Sequence, residues 1–324
     1  MHEFALIDRI RARSHGRADI ALGIGDDAAL LQPAPGEQLA VTMDTLNEGV
    51  HFPPESAPFD IGWKTLAVNL SDLAAMGARP AWCTLSLSLP QVDANWLDGF
   101  AEGLFALADQ HGIALVGGDT TRGPLSLSVT AIGRVAQGNA LRRAGARAGD
   151  DIWATGTLGD AAAALKLWQA GTLAVAVPAT AAIEPLRQRL QRPQPRVQAG
   201  LRLVGLASAA IDVSDGLLAD LGHVCARSRV GAQLWLDALP ASAALRAAFD
   251  GEALRVLQCA GGDDYELCFT ALRQHRDAVE QAMQFAEVAV TRIGRIVEGA
   301  AVVALDAAGH PWTPPRTGYQ HFAV

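Results

Sequence analysis

The sequence predicts an α/β (α+β) chain of two domains, on three observations. At 324 residues it is long enough for two cores at about 150 residues per domain. Two runs alternate strictly: Cys83, Leu85, Leu87 and Leu89 against Thr84, Ser86 and Ser88, and Leu125, Leu127, Val129 and Ala131 against Ser126, Ser128 and Thr130. That period marks strands with one buried face. Between them Trp96, Leu97, Phe100, Leu104, Leu107 and Ala108 recur at helical spacing up to Gly112, as one buried helix face requires.

Taken in order, Met1 to Asp19 is predicted as a short amphipathic helix through Phe4, Ile7 and Ile10. Its acids and arginines deny it the apolar core of a signal peptide. Leu39 to Val41 reads as a strand running into a functional turn at Thr42, Met43 and Asp44. Asn47 to Phe52 is a polar loop carrying His51. Asp60 to Met76 is predicted helical, with Leu66, Leu70 and Leu73 on an apolar stripe and Thr65, Asn69 and Asp72 on a polar one. That second stripe is either a solvated surface or a face whose Asp72 reaches a metal. Ile113 to Val116 is a strand ahead of Gly117, Gly118 and Asp119. Residues 1–137 thus form a mixed α/β domain with about four strands in its sheet. Residues 138–150 are rich in Gly, Ala and Arg without periodicity and read as a linker. Residues 151–324 form the second domain. It opens with a strand at Ile152 to Thr155, an alanine-rich helix ending near Gln169 and a helix from Val197. Asp212 to Gly216 opens a further helix through Leu217, Leu221, Val224 and Cys225.

Composition excludes several classes. No apolar run reaches the 18 or so residues of a membrane helix. A net charge of -8 argues against a nucleic-acid binder, which needs a basic face to displace counterions. The four cysteines are scattered, so neither a disulfide framework nor a zinc site is indicated, and a reducing cytoplasm fits best. Lys64 and Lys166 are the only lysines, and no G-x-x-x-x-G-K-[ST] occurs, which excludes a P-loop enzyme.

The distinctive pattern is an apolar run ending in Asp beside Gly, Ser or Thr. It recurs at Gly25-Asp26-Asp27, Thr42-Met43-Asp44-Thr45, Ser71-Asp72, Gly117-Gly118-Asp119-Thr120, Asp212-Val213-Ser214-Asp215-Gly216 and Gly261-Gly262-Asp263-Asp264-Tyr265-Glu266. Any one of these reads equally as an ordinary turn, since Asp bonds its own backbone and Gly tolerates positive φ. Ser214 or Asp215 reads equally as a helix cap. Together they suit hard divalent cations, because Mg²⁺ pairs carboxylates with substrate phosphates. Two carboxylates 4 Å apart repel by about 4 kcal/mol at an effective dielectric of 20, so a cluster of them recruits cations or keeps some members protonated. Arg142 and Arg143 are candidates for phosphate contact. Tyr319 and His321 either face a heterocycle or merely pack.

In order, Gly23-Ile24-Gly25-Asp26-Asp27-Ala28, Asp44-Thr45 with Gly49-Val50-His51-Phe52, Ala67 to Ala78, Gly117 to Pro124, Asp212 to Leu217, Gly261 to Leu267 and the terminal Gly318 to Phe322 resemble the thiamine-monophosphate kinase family. The resemblance implies an aminoimidazole ribonucleotide synthetase-like fold, with an N-terminal mixed sheet that pairs with its copy in a homodimer and a C-terminal α+β domain. It implies direct in-line transfer from ATP to thiamine monophosphate, with no covalent catalytic residue. It assigns several Mg²⁺ ions to Asp27, Thr42, the Met43 carbonyl, Asp44, Asp72, Asp119, Asp212 and Asp215. It assigns ATP contacts to Gly118, Asp119, Arg143 and Ser214, and the thiamine phosphate to His51, Asp263 and Tyr319. Met43 and Asp263 stand where relatives carry Thr and Glu, so a side-chain role is lost at 43 and one methylene of reach at 263. The rival readings are a sister ATP-dependent enzyme of the superfamily or a non-catalytic thiamine-phosphate or nucleotide sensor. Selenophosphate synthetase wants a reactive Cys and a Lys near the start, and the hydrogenase maturation protein a C-terminal Cys. The first 40 residues contain neither Cys nor Lys, and the sequence ends Phe322-Ala323-Val324.

Overall fold

The computed structural model describes residues 9–13, 16–175 and 178–321. Phe4 and Ile7 of the amphipathic segment, and Phe322, Ala323 and Val324, lie outside the described residues. Arg9 to Arg11 are helical and Ile10 is buried, as the apolar stripe requires. The chain divides into two compact units. One comprises Met1–Leu73 and Ala78–Gly138, the other Ala74–Gly77 and Asn139–Val324.

The first unit is built on a four-stranded sheet. Its members are β3 (Glu37–Asn47), β4 (Arg79–Leu89), β5 (Ala114–Arg122) and β6 (Ser126–Ala136), in the order β3-β6-β4-β5. Only β4 and β5 run parallel. Their connection is the helix α2 (Ala94–His111), as a parallel crossover demands. Asp93 caps α2 by accepting from the N–H groups of Asn95 and Trp96, and Gly112 ends it in a left-handed conformation. The helix α1 (Pro58–Ala75) crosses α2 closely enough that a Cβ on Gly62 would sit 2.0 Å from the Phe100 carbonyl, and one on Gly103 1.9 Å from that of Phe59. The core is made by Leu66, Leu70, Leu73, Leu97, Phe100, Leu104 and Leu107 with the alternate residues Leu85, Leu87, Leu127 and Val129. On the other side of the sheet Trp82 and Val116 pack with Ile20 and Leu31, from the two-stranded pairing of β1 (Ile20–Leu22) and β2 (Leu30–Leu31).

Two sequence expectations change here. Thr42, Met43 and Asp44 are not a turn after a strand but the middle of β3, and Gly117, Gly118 and Asp119 lie inside β5. The apolar runs were shorter than the strands because an edge strand and an open face do not need apolar residues to pair their backbones.

The second unit holds a seven-stranded sheet in the order β13-β12-β9-β11-β7-β10-β8, antiparallel except for β12 with β9. Its strands are β7 (Asp151–Thr155), β8 (Ala207–Val213), β9 (Gly231–Trp235), β10 (Glu266–Ala271), β11 (Val290–Val297), β12 (Val302–Leu305) and β13 (Pro311–Trp312). Every residue of β7 and β10 is buried, as interior strands covered on both faces are. The helices are α3 (Asp160–Gln169), α4 (Glu184–Gln191), α5 (Val197–Leu203), α6 (Leu217–Ser228), α7 (Ala243–Ala248), α8 (Gly251–Ala260) and α9 (Arg276–Phe285). α6 packs Leu217, Leu221 and Val224 into the main core with Ile211, Val213 and Cys268, while α3, α4 and α7 form a second cluster around Leu186, Leu190 and Leu245. Residues 139–150 belong to this unit. The Gly145 and Ala146 N–H groups both donate to Ser228 Oγ at 3.1 Å, and Ser208 Oγ donates to Asp150 at 2.6 Å.

Candidate functional site

In the first unit Thr42, Met43, Asp44, Asp72, Gly118 and Asp119 sit on regular backbone, while Asp27 and His51 lie in loops. The pleat of β3 turns Thr42 and Asp44 toward α1, half-buried, and Met43 the other way at 63% exposure. Thr42 Oγ1 donates a short hydrogen bond to Asp72 Oδ2, and the Asp44 N–H donates to Asn69 Oδ1 at 3.0 Å. Asn69 is held in turn, its Nδ2 donating to the Thr65 carbonyl at 3.1 Å, and Thr65 Oγ1 donates to the Ile61 carbonyl at 2.7 Å. Thr65 and Asn69 are fully buried. The polar stripe of α1 is therefore neither a solvated surface nor only a route to a metal. It is a buried strut that fixes the backbone of β3 beside Asp72. His51 is also pinned, its Nδ1 accepting from the Asn47 N–H and its carbonyl from Lys64 Nζ, each at 3.0 Å.

Gly118 and Asp119 occupy another part of the same sheet. The ladder aligns Asp44, Val129, Leu85 and Gly118 in one row and Thr45, Ser128, Ser86 and Asp119 in the next. Alternation puts Asp119 on the open face, away from α1. Three strand spacings, about 14 Å, separate it from Asp44. Gly118 has φ 155, and a Cβ there would meet the Leu85 carbonyl at 1.9 Å, so only glycine fits that row. Asp27 is exposed in the loop after β1, where its N–H donates to Asp26 Oδ1 at 2.9 Å. Among the described residues no group of three His, Cys, Asp or Glu side chains gathers as a metal site.

In the second unit the residues sit on irregular backbone at the ends of β8 and β10. Asp212 is buried in β8 opposite Leu267, and Ser214 and Asp215 follow the strand. The Asp263 N–H donates to the Ser214 carbonyl at 2.8 Å, and the Tyr319 N–H to the Asp215 carbonyl at 3.0 Å. The structure thus brings Ser214, Asp215, Asp263 and Tyr319 into one cluster. Asp263 and Tyr265 have φ of 67° and 50°, a conformation costly for residues other than glycine. It is kept by the Tyr265 hydroxyl, which donates to Asp263 Oδ1 at 3.0 Å, and by the Tyr265 N–H on the Val213 carbonyl at 2.8 Å. Tyr319 also meets His321 edge to face at 5.0 Å. Arg143 is exposed, and its carbonyl accepts from Ser228 Oγ at 3.1 Å.

Sequence reading missed the groups that hold this loop. Asp220, in the first turn of α6, accepts from the N–H groups of Ser214, Asp215 and Gly216 at 3.0, 3.2 and 3.1 Å. Burial and then the neighbouring Asp215 push its carboxyl up to about 7, against the pull of those three donors. An acid in the first turn of a helix that follows Asp-Gly was the available signal. Glu266, fully buried, accepts from Arg189, Arg196 and the Thr155 hydroxyl, each within 2.7 Å. Burial works to raise it, but Arg189 and Arg196 outweigh burial and hold it low. Asp264 accepts from the Gly159 N–H, and burial raises its carboxyl well above the usual range. No local pattern links Arg189 or Arg196 to Glu266, more than sixty residues away.

Comparison with known proteins extends these observations. The N-terminal domain of AIR synthase related protein matches residues 25–135, and its C-terminal domain residues 147–306. The thiamine-monophosphate kinase of Salmonella typhimurium is 48% identical over 99% of this chain and 98% of its own length. The crystal structure of thiamine-monophosphate kinase from Stenotrophomonas maltophilia K279a is similar at 63% identity and a TM-score of 0.89, covering 94% of this chain and 96% of that one. AaThiL complexed with AMPPCP and TMP is similar at 29% identity and a TM-score of 0.79, covering 99% and 97%.

Proposed function

The chain belongs to the thiamine-monophosphate kinase family of AIR synthase related proteins, and we infer from this that it transfers the γ-phosphoryl group of ATP to thiamine monophosphate, giving thiamine diphosphate and ADP. The observation that carries the inference is identity of 48% along the whole chain to a thiamine-monophosphate kinase. A neighbour covering nearly the same length is complexed with AMPPCP and TMP.

The donor chemistry fits magnesium. Thr42, Asp44 and Asp72 in the first unit, and Asp212 and Asp215 in the second, offer only oxygen, the preference of a hard cation. With Asp27, Asp119 and the Met43 carbonyl they are the groups that would hold the ions. When bound, Mg²⁺ supplies the positive charge that phosphoryl oxygens need during transfer. The rest of the work is positioning. Gly118, Asp119, Arg143 and Ser214 are assigned to ATP, and His51, Asp263 and Tyr319 to the thiamine phosphate. Asp263 and Tyr319 hang on the carbonyls of Ser214 and Asp215, so one loop orients acceptor contacts and metal carboxylate together. Fixing both reactants in this way supplies much of the acceleration of an in-line transfer. The four cysteines are buried and free, and burial raises the thiols of Cys83 and Cys259 to about 12. None serves as a nucleophile, in keeping with direct transfer. Those free thiols also favour a reducing cytoplasm; no helix among the described residues is long and apolar enough to cross a membrane.

A homodimer belongs to the same reading. Leu39, Val41 and Met43 are 45%, 63% and 63% exposed along one face of β3, a run of apolar surface that a second copy of the sheet would cover.

The test is to incubate the pure protein with ATP, Mg²⁺ and thiamine monophosphate and to separate the products. Thiamine diphosphate with equimolar ADP, and neither without Mg²⁺, is the expected result. Both substrates recovered intact from folded protein would return the chain to a sister activity or a sensor role.

A further inference from the structure

At the end of the seven-stranded sheet remote from Asp212, a cavity of about 460 Å³ is lined by Arg273, Arg276, Arg292 and Arg295 with Asp151 and Trp235. Asp151 opens β7 and pairs with Ala271 on β10, whereas Asp212 pairs with Leu267 at the other end of that strand. Four residues of extended chain, about 13 Å, lie between the two rows. Asp151 is buried and engages Arg276, whose Nε and Nη2 donate to it at 2.6 and 2.8 Å. Arg292 Nη1 stands 3.5 Å from the same carboxylate. Burial works to raise Asp151, but the Arg276 hydrogen bond, with Arg292 and Arg273 nearby, holds it low.

One bidentate arginine satisfies a buried carboxylate. Arg273 and Arg295 are surplus to that need, and both are exposed at the cavity. With Glu298 as the only other carboxylate of the lining, the cavity is net positive, in a chain whose overall charge is -8. Like charges gathered on one wall repel unless an anion relieves them. The planar guanidinium fork matches phosphate oxygens two at a time. Arg292 lies over the Trp235 ring at 5.4 Å, which holds its guanidinium in place. The volume falls within the range of small-molecule pockets and exceeds what a single phosphate fills.

We propose that this cavity is a second anion site, which takes a diphosphate-bearing small molecule on Arg273, Arg292 and Arg295, apart from the site of Asp212 and Asp215. The probes are inorganic pyrophosphate and ADP, each titrated calorimetrically into the full chain with divalent cations chelated. The protein is compared with Arg273→Ala/Arg295→Ala, which leaves Asp151 its Arg276 and Arg292. Wild type is expected to show a saturable component that the double variant binds at least tenfold more weakly, with the ligand-free unfolding temperature unchanged. A loss for pyrophosphate alone assigns the cavity to the free anion; a loss for both probes extends it to diphosphate esters. The single variant Arg295→Ala, which keeps every arginine near Asp151, repeats the measurement if the double variant is unstable. Superimposable isotherms for both probes, or binding abolished by about 0.2 M salt as exposed charges alone would be, would overturn the proposal.

Discussion

Asp44 and Asp215 are acids of the same kind held by opposite means. Asp44 lies in the middle of an eleven-residue strand, and its direction follows from the pleat and from one buried side chain, Asn69, on a neighbouring helix. Asp215 follows a strand that has already ended, and its backbone is held by the Asp220 carboxylate and the Tyr319 N–H, with Asp263 on the carbonyl of the preceding Ser214. In the first unit geometry is repeated and cheap, since strand and helix place side chains by their period. In the second it is local and costly, with Asp263 and Tyr265 in a left-handed conformation at about 1 kcal/mol or more each. The difference teaches that the first cluster is as rigid as its sheet, while the second depends on a few hydrogen bonds that single substitutions can remove.

The largest effect is expected where the two clusters should behave alike. Asp44→Asn and Asp215→Asn should each slow thiamine diphosphate formation by on the order of 100-fold or more, with circular dichroism unchanged. An unaltered rate in either variant removes that residue from the metal set and breaks the symmetry between the clusters. Next comes the regular backbone. Gly118→Ala puts a Cβ against the Leu85 carbonyl and should cost about 3 kcal/mol in denaturant unfolding; a midpoint equal to wild type would show that β5 is not rigid there.

The loop of the second unit is probed by Asp220. Asp220→Ala leaves three N–H groups without their acceptor and should cost about 2 kcal/mol together with a raised magnesium requirement. Asp220→Asn keeps an acceptor and relieves Asp215, and should retain most of the stability; equal losses in the two variants would refute the role of the hydrogen bonds. Tyr265→Phe removes the hydroxyl that holds Asp263. Steady-state kinetics should show KM for thiamine monophosphate rising about threefold to tenfold while kcat moves less, and an unchanged KM would free Asp263 from that constraint.

The smallest effect lies in the second unit but outside the cluster. The hydrogen bond from Arg187 is the main cause that brings Glu184 down to about 2 from an ordinary 4.5. A carboxyl lowered on folding contributes stability above its unfolded value and loses it as pH falls through its folded one. Unfolding followed from pH 4.5 to 2 should therefore be less steep for Glu184→Gln than for wild type. Parallel curves would show that the ion pair contributes nothing.

The sequence by itself determined the strands and helices with one buried face, because a period of 2 or 3.6 is a local consequence of burying that face. It also singled out the acids proposed to hold the metal ions, since Asp beside Gly, Ser or Thr in six ordered blocks is readable without coordinates. It did not show that Thr42 to Asp44 and Gly117 to Asp119 lie within strands, because open faces and edges carry polar residues and lose the alternation. Only the tertiary structure decided that Thr65 and Asn69 are buried struts, that Asp119 faces away from Asp44, and that Asp220, Arg189 and Arg196 support the second cluster. Each of these depends on which segments distant in the chain become neighbours, and a contact between such segments leaves no period in either one.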